Sequence, residues 1–294
     1  MKRYAVPALA ALHLMATAAP LPADPLERRC WLAHTAERTR VDVLREPIAV
    51  HFSNLKSGDS VRSPFWVEFG VRGMGVIPAG NPREQSGHHH ILIDTPLPRD
   101  HTAAIPFSDT HRHFGKGQTG ALLDLPPGRH TLRLLFADHA HRPYFVFSPE
   151  ISIQVTGKRA GPAPQLDATN LEASCTRWYG DYASTPRDPA LREVYVKNLR
   201  AEEGVASPFT VSLGVVGLGV APAGSEVKDT GHFRLQVLRG SATAQSVVLA
   251  DGRTETVLDL PAGDYELQPS LLDGKGAPLL AGTPLRVTVL RQMR

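Results

Sequence analysis

The sequence predicts an all-β protein built as two tandem immunoglobulin-like β-sandwich domains related by internal duplication. Three observations point there. The chain repeats itself: Ser63-Pro64-Phe65-Trp66-Val67-Glu68-Phe69-Gly70-Val71 recurs as Ser207-Pro208-Phe209-Thr210-Val211-Ser212-Leu213-Gly214-Val215, a shift of 144 residues. Short apolar or alternating runs are bounded by Gly and Pro, as in sandwiches of short strands. Neither copy holds a long run with the 3.6-residue apolar period of a helix.

In chain order the sequence divides into five parts. Residues 1–18 read as a secretory signal peptide. Lys2-Arg3 give it a positive start, Ala5 to Ala16 are mostly apolar, and Ala16-Thr17-Ala18 places small residues before a cut ahead of Ala19. A cut after Ala23 obeys the same rule. The apolar run is shorter than the ~20 residues that span a bilayer, and no cysteine follows it to carry a lipid. Residues 19–44 form a lead segment. Residues 45–157 are the first sandwich, with strands expected at Ile48–Phe52, Phe65–Val71, His89–Asp94, Gly120–Leu125, His130–Phe136 and Ile151–Val155. Residues 158–189 hold a linker, continuing the Gly-, Pro- and Ala-rich run from Gly157 to Pro164, and a second lead segment. Residues 190–294 are the second sandwich, with strands expected at Val194–Lys197, Phe209–Val216, Phe233–Leu238, Thr256–Leu260, Tyr265–Leu271 and Leu285–Leu290.

The turns repeat as well. Pro78-Ala79-Gly80 falls on Pro222-Ala223-Gly224 at the same shift, and Pro126-Pro127-Gly128 and Pro261-Ala262-Gly263 mark tight connections. Leu123-Asp124-Leu125-Pro126 matches Leu258-Asp259-Leu260-Pro261 at a shift of 135, so one connection of the second copy is nine residues shorter.

The net charge of +3 is small and the Lys and Arg residues are scattered. That excludes the basic stripe by which nucleic acid or an anionic membrane is recognised. No membrane span is expected, and an exported, periplasmic or secreted protein fits best. Cys30 and Cys175 stand 145 residues apart, each ahead of the first strand of its copy. In an oxidising compartment they are a candidate disulfide tying the two lead segments together, with two separate thiols as the alternative. No Gly-x-Ser-x-Gly elbow or nucleophile beside a base marks an enzyme. Phe114-Gly115-Lys116-Gly117-Gln118-Thr119 lacks the spacing of a phosphate loop and reads as a glycine-rich turn beside histidines.

What distinguishes the copies is histidine. Gly87-His88-His89-His90 becomes Gly231-His232-Phe233-Arg234, His139 and His141 fall on Gly274 and Gly276, and the connection carrying His111 and His113 is the shortened one. The scaffold therefore survives without these side chains. Strand alternation puts His88 and His90 on one face, and His89 with Ile91 and Ile93 on the core face. His111/His113 and His139/His141 repeat the i, i+2 spacing, so the six histidines His88, His90, His111, His113, His139 and His141 are the candidate metal ligands. Imidazole suits copper, zinc and nickel. Asp94, Asp109, Asp138 and Lys116 are candidates to complete or orient the shell.

In Gly73-Met74-Gly75-Val76, in Gly87-His88-His89-His90-Ile91-Leu92-Ile93-Asp94, in the run from His111 to Thr119 and in that from Leu125 to Leu132, the first copy resembles a bacterial family of exported proteins. That family is known as domain of unknown function 4399, and the second copy looks like a degenerate member. The resemblance implies no activity; it makes the histidine motifs the family's defining feature. Its members often carry a His-x-Pro-His element, where this chain has His139-Ala140-His141-Arg142-Pro143. The expectation is an exported metal-binding protein holding copper or zinc for sequestration or delivery. The alternative is a non-catalytic cell-envelope binding or interaction module, with histidines lining a ligand or partner surface and an envelope protein as partner.

Overall fold

The computed structural model describes residues 19–41, 46–100 and 102–291. The signal segment expected at residues 1–18 lies outside them. The described chain opens with helix α1 (Pro25–Thr35), which Asp24 caps by accepting the N–H groups of Leu26 and Glu27.

The first sandwich follows: β1 (Ala49–Phe52), β2 (Ser60–Ser63), β3 (Phe65–Arg72), β4 (Gly75–Val76), β5 (Ser86–Ile93), β6 (His111–Phe114), β7 (Gly120–Leu123), β8 (Gly128–Ala137), β9 (Pro143–Phe147) and β10 (Ile151–Lys158). A 3₁₀ turn and helix α2 (Leu171–Ala183) lead into the second. Its strands are β11 (Glu193–Val196), β12 (Glu203–Ala206), β13 (Phe209–Val216), β14 (Gly219–Val220), β15 (Thr230–Arg239), β16 (Ala242–Val248), β17 (Glu255–Leu258), β18 (Gly263–Leu272), β19 (Pro278–Ala281) and β20 (Leu285–Leu290). The second set repeats the first strand for strand.

In each copy a three-stranded sheet packs on a seven-stranded one. The first pairs β1-β3-β7 against β2-β10-β8-β5-β4, with β6 added beside β5 and β9 beside β8; the second has the same order. Phe65, Val67, Phe69 and Val71 of β3 meet Ile91, Leu132, Leu134, Phe136 and Ile153 of the large sheet in a closed core. Each such side chain contributes about 1.5–3 kcal/mol by leaving water. Twelve strands coincide with the runs expected from periodicity. The two helices were not anticipated: they lie in the lead segments and are too short, with too few apolar positions, to show a helical period.

β3 is buried on both faces, and so is β13. The second face of each lies between the domains. Lys197 Nζ donates to Phe69 O at 2.7 Å, Tyr195 OH donates to Glu68 Oε1 at 2.9 Å, and His51 Nε2 pairs with Glu255 Oε1 at 3.0 Å. The contact obeys a pseudo-two-fold: Val76 N donates to Gly252 O and Val220 N to Gly117 O. Glycine is required at both approaches, because a Cβ on Gly75 would stand 2.0 Å from Asp251 O and one on Gly219 1.9 Å from Lys116 O.

The lead segments cross. Thr39 O accepts Thr210 N–H of the second sandwich, and Arg38 O accepts Asn198 Nδ2. The equivalent carbonyls of the second lead segment serve the first sandwich: Ser184 O accepts Trp66 N–H and Ala183 O accepts Asn54 Nδ2. α2 also packs on β2, with Arg62 paired to Asp181 at 2.8 Å. Cys30 and Cys175 join α1 to α2 as a disulfide, Cα–Cα 5.6 Å.

Candidate metal centre

β5 runs between β8 and β6. Its register sets His88 opposite Ala137, and His90 opposite both Leu135 and His113. Since alternate residues face opposite ways, His88, His90 and His113 share the outer face of the large sheet. His89 points into the core instead, its ring 5.1 Å from Phe69 and 4.9 Å from Phe136. Burial, then the charge of Lys197, holds its pKa well below the ordinary imidazole value.

The turn after β8 brings a fourth imidazole over this face. Asp138 builds that turn: its carboxylate accepts the N–H groups of Ala140 and Arg142 and pairs with the Arg142 guanidinium, while its carbonyl accepts His141 N–H. Burial works against the Asp138 carboxylate, but these donors outweigh it and keep its pKa below normal. His141 is thereby held at φ 64°, the left-handed region that disfavours side chains. The second copy keeps the same turn on Asp273 but places Gly276, φ 84°, at the equivalent position.

His88 Nε2 lies 3.1 Å from His90 Nε2 and 3.1 Å from His141 Nδ1. One ring nitrogen from each of His88, His90, His113 and His141 lies within 4.8 Å of all the others. His88 Nδ1, His90 Nδ1 and His113 Nε2 have no hydrogen-bond partner. Burial, reinforced by the neighbouring rings, pulls His88 down to about 3 and His90 to about 2, and lowers His113 as well. All three are therefore neutral near pH 7, the state in which imidazole offers a lone pair. Gly115 makes room for His113, since a Cβ there would stand 2.2 Å from its ring. Four nitrogens without a carboxylate suit copper or zinc, not the oxygen-seeking magnesium or calcium.

The connection between β5 and β6 covers the site. Ile105 is buried against Leu92, Leu135 and Ala137, and its N–H donates to His141 O. Phe107 stacks on His113 at 4.6 Å and meets His141 edge-on at 5.0 Å, yet remains 59% exposed. Sequence reasoning missed both residues. Their one signal was position, within the stretch that the second copy shortens.

The structure does not bring all six expected ligands together. His111 shares a face with His113 but lies roughly 7 Å further along the strand, opposite Leu92, its Nδ1 held by Ser108 and Thr110 hydroxyls. His139 and His141 sit in a turn, where i, i+2 spacing does not align side chains; His139 lends its carbonyl to Gly80 N–H and its ring stays outside the cluster. Asp94 binds His130 Nδ1 at 2.6 Å, away from the cluster. Asp109 pairs with Arg112 at the surface, and Lys116 is exposed beside the second domain. Only Asp138 serves the cluster, through the backbone of His141. The other close grouping among the described residues, Cys30, His34 and Cys175, is the disulfide with an imidazole beside it.

Among solved structures, the fibronectin(III)-like modules of Clostridium thermocellum CbhA are 12% identical, matching 83% of this chain and 98% of theirs at a TM-score of 0.22. A two-domain fibronectin type-III segment of chicken tenascin is also 12% identical, over 84% of this chain and 100% of its own, at 0.20. Dimeric latent PorU from Porphyromonas gingivalis is 14% identical, over 86% of this chain and 21% of its own, at 0.29. These likenesses concern sandwich architecture alone. No curated protein matches. No helix among the described residues is long and apolar enough to cross a membrane. The profile of a single domain family matches twice, at residues 67–156 and 211–290, once on each sandwich. With more than half its length so matched, the chain belongs to the family described as domain of unknown function DUF4399.

Proposed function

We propose that the first sandwich binds one copper or zinc ion through His88, His90, His113 and His141, and that the protein is exported to sequester or deliver that ion. The observation that carries the reading is the convergence of four imidazoles, His88, His90, His113 and His141, in the one copy that has histidine at the left-handed turn position. Left-handed backbone at a non-glycine residue costs of order 1–3 kcal/mol, and at this turn only the copy that carries the other three histidines bears it. The Cys30–Cys175 disulfide fits an oxidising compartment, as does the signal pattern at residues 1–18. The second sandwich serves as scaffold.

Titration of the chain with Cu(II) and Zn(II) tests this beside two double variants. His113→Ala/His141→Ala removes half the set at its more exposed rim. His111→Ala/His139→Ala removes the two histidines outside the cluster. One tightly held ion is expected in the wild type and the second variant, with binding at least a hundredfold weaker in the first. Equal weak binding by all three would sink the metal reading and favour the envelope interaction module.

A further inference from the structure

A second site lies where the two sandwiches meet the crossed lead segments. A cavity of about 290 Å³ there is walled by Arg38, Arg187, Lys197 and Arg200, with Glu68 the single acid. Glu68 is already engaged: it accepts the Tyr195 hydroxyl, and Arg187 Nε stands 3.9 Å away. Arg187 is bound further out by Glu193 at 2.7 Å. Lys197, 2% exposed, gives its Nζ hydrogens to neutral acceptors, Phe69 O and Ser53 Oγ.

Neither Arg38 nor Arg200 forms a close ion pair with a described residue; Glu203, which accepts the Arg200 backbone N–H at 2.9 Å, acts on both guanidinium groups from further off, and Asp59 acts on Arg38. The Arg38 guanidinium stands over Trp31 and Tyr179, at 5.7 and 5.3 Å, and makes no hydrogen bond or ion pair with a described residue. Arg200 stands 4.1 Å from the same indole, spends Nη1 on the carbonyls of Lys197 and Leu199, and keeps Nε buried without a partner. Burial, then the charge of Arg200, lowers the Arg38 pKa to about 10. Both residues are half-buried, and a guanidinium presents its N–H groups in a fork that fits an oxyanion two at a time. The volume lies at the small end of ligand sites.

We propose that this cavity binds a small oxyanion of the phosphate or sulfate type, clasped by Arg38 and Arg200 within the field of Arg187 and Lys197. The site is separate from the histidine cluster, and the bound anion would hold both lead segments to both sandwiches.

Calorimetric titration of the metal-free full chain with phosphate, sulfate and acetate, against chloride at matched ionic strength, tests this. One saturable site for phosphate or sulfate is expected, at least tenfold weaker in Arg38→Gln and in Arg200→Gln. Either arginine variant could unfold, so Thr185→Glu provides a second test. Thr185 is an exposed residue of the cavity wall, and a carboxylate there should weaken phosphate at least tenfold in a variant whose melting curve in chloride shows it still folded. The proposal fails if the wild type shows no saturable heat, or if all variants bind as it does. Acetate binding tenfold tighter than phosphate would overturn the assignment of the ion.

Discussion

His141 and Gly276 occupy the same left-handed position in two copies of one turn, each on its own aspartate. Duplication thus supplies an internal control for a single side chain. His141→Gly should raise the stability of the metal-free protein by roughly 1 kcal/mol, because glycine adopts positive φ freely and the relief of about 1–3 kcal/mol exceeds the entropy glycine adds to the unfolded chain. The same change should weaken Cu(II) or Zn(II) at least tenfold. Melting curves and metal titrations on one preparation measure both. A destabilised variant would show that the imidazole holds the turn, and unaltered binding would remove His141 from the ligand set. His88, His90 and His113 were legible in the sequence as members of i, i+2 pairs. The exclusion of His111 and His139 was not, because spacing gives a face but neither a position along a strand nor the geometry of a turn.

Elements were legible to the extent that burial imposed a period on them. β3, β8 and their counterparts announce themselves by apolar alternation; β6 does not, since His111-Arg112-His113-Phe114 has only one partly buried apolar residue. α1 and α2 bury a small satellite cluster around Trp31, Trp178 and Tyr179, too few positions to write a helical pattern. Nor could the sequence say that Glu68 and Glu255, on strands that look half-exposed, face another domain. Burial alone would raise the Glu255 pKa, but His51, Lys197 and Arg72 outweigh it and bring it down to about 2. A carboxylate depressed in the folded state stabilises above its unfolded pKa, 4.5, and loses that contribution as pH falls toward the folded value. Melting temperatures of the wild type and Glu255→Gln should therefore converge as pH drops from 5 toward 2. A gap that stays constant would show that Glu255 acts by packing alone.

At the scale of the molecule, two sandwiches that share a doubly buried interface and exchange lead segments should unfold as one cooperative unit. Calorimetry is expected to give a single transition with equal calorimetric and van't Hoff enthalpies. A fragment of residues 46–158 should not fold, since it lacks both α2 against β2 and the partner face of β3. Two resolved transitions, or a stable fragment, would show that the domains are independent after all.

The crossing of the lead segments also imposes an order of events as the chain emerges from its N-terminus. The strands and the turn that carry His88, His90, His113 and His141 come out early, but the carbonyls of Ala183 and Ser184 that complete their sandwich come out later. α1, first to emerge, must wait longer still for the second sandwich on which its segment docks. A half-delivered chain therefore has the histidines but not the finished domain that aligns them. Under the proposed function, metal loading would be a late event, reserved for chains whose second half has also arrived.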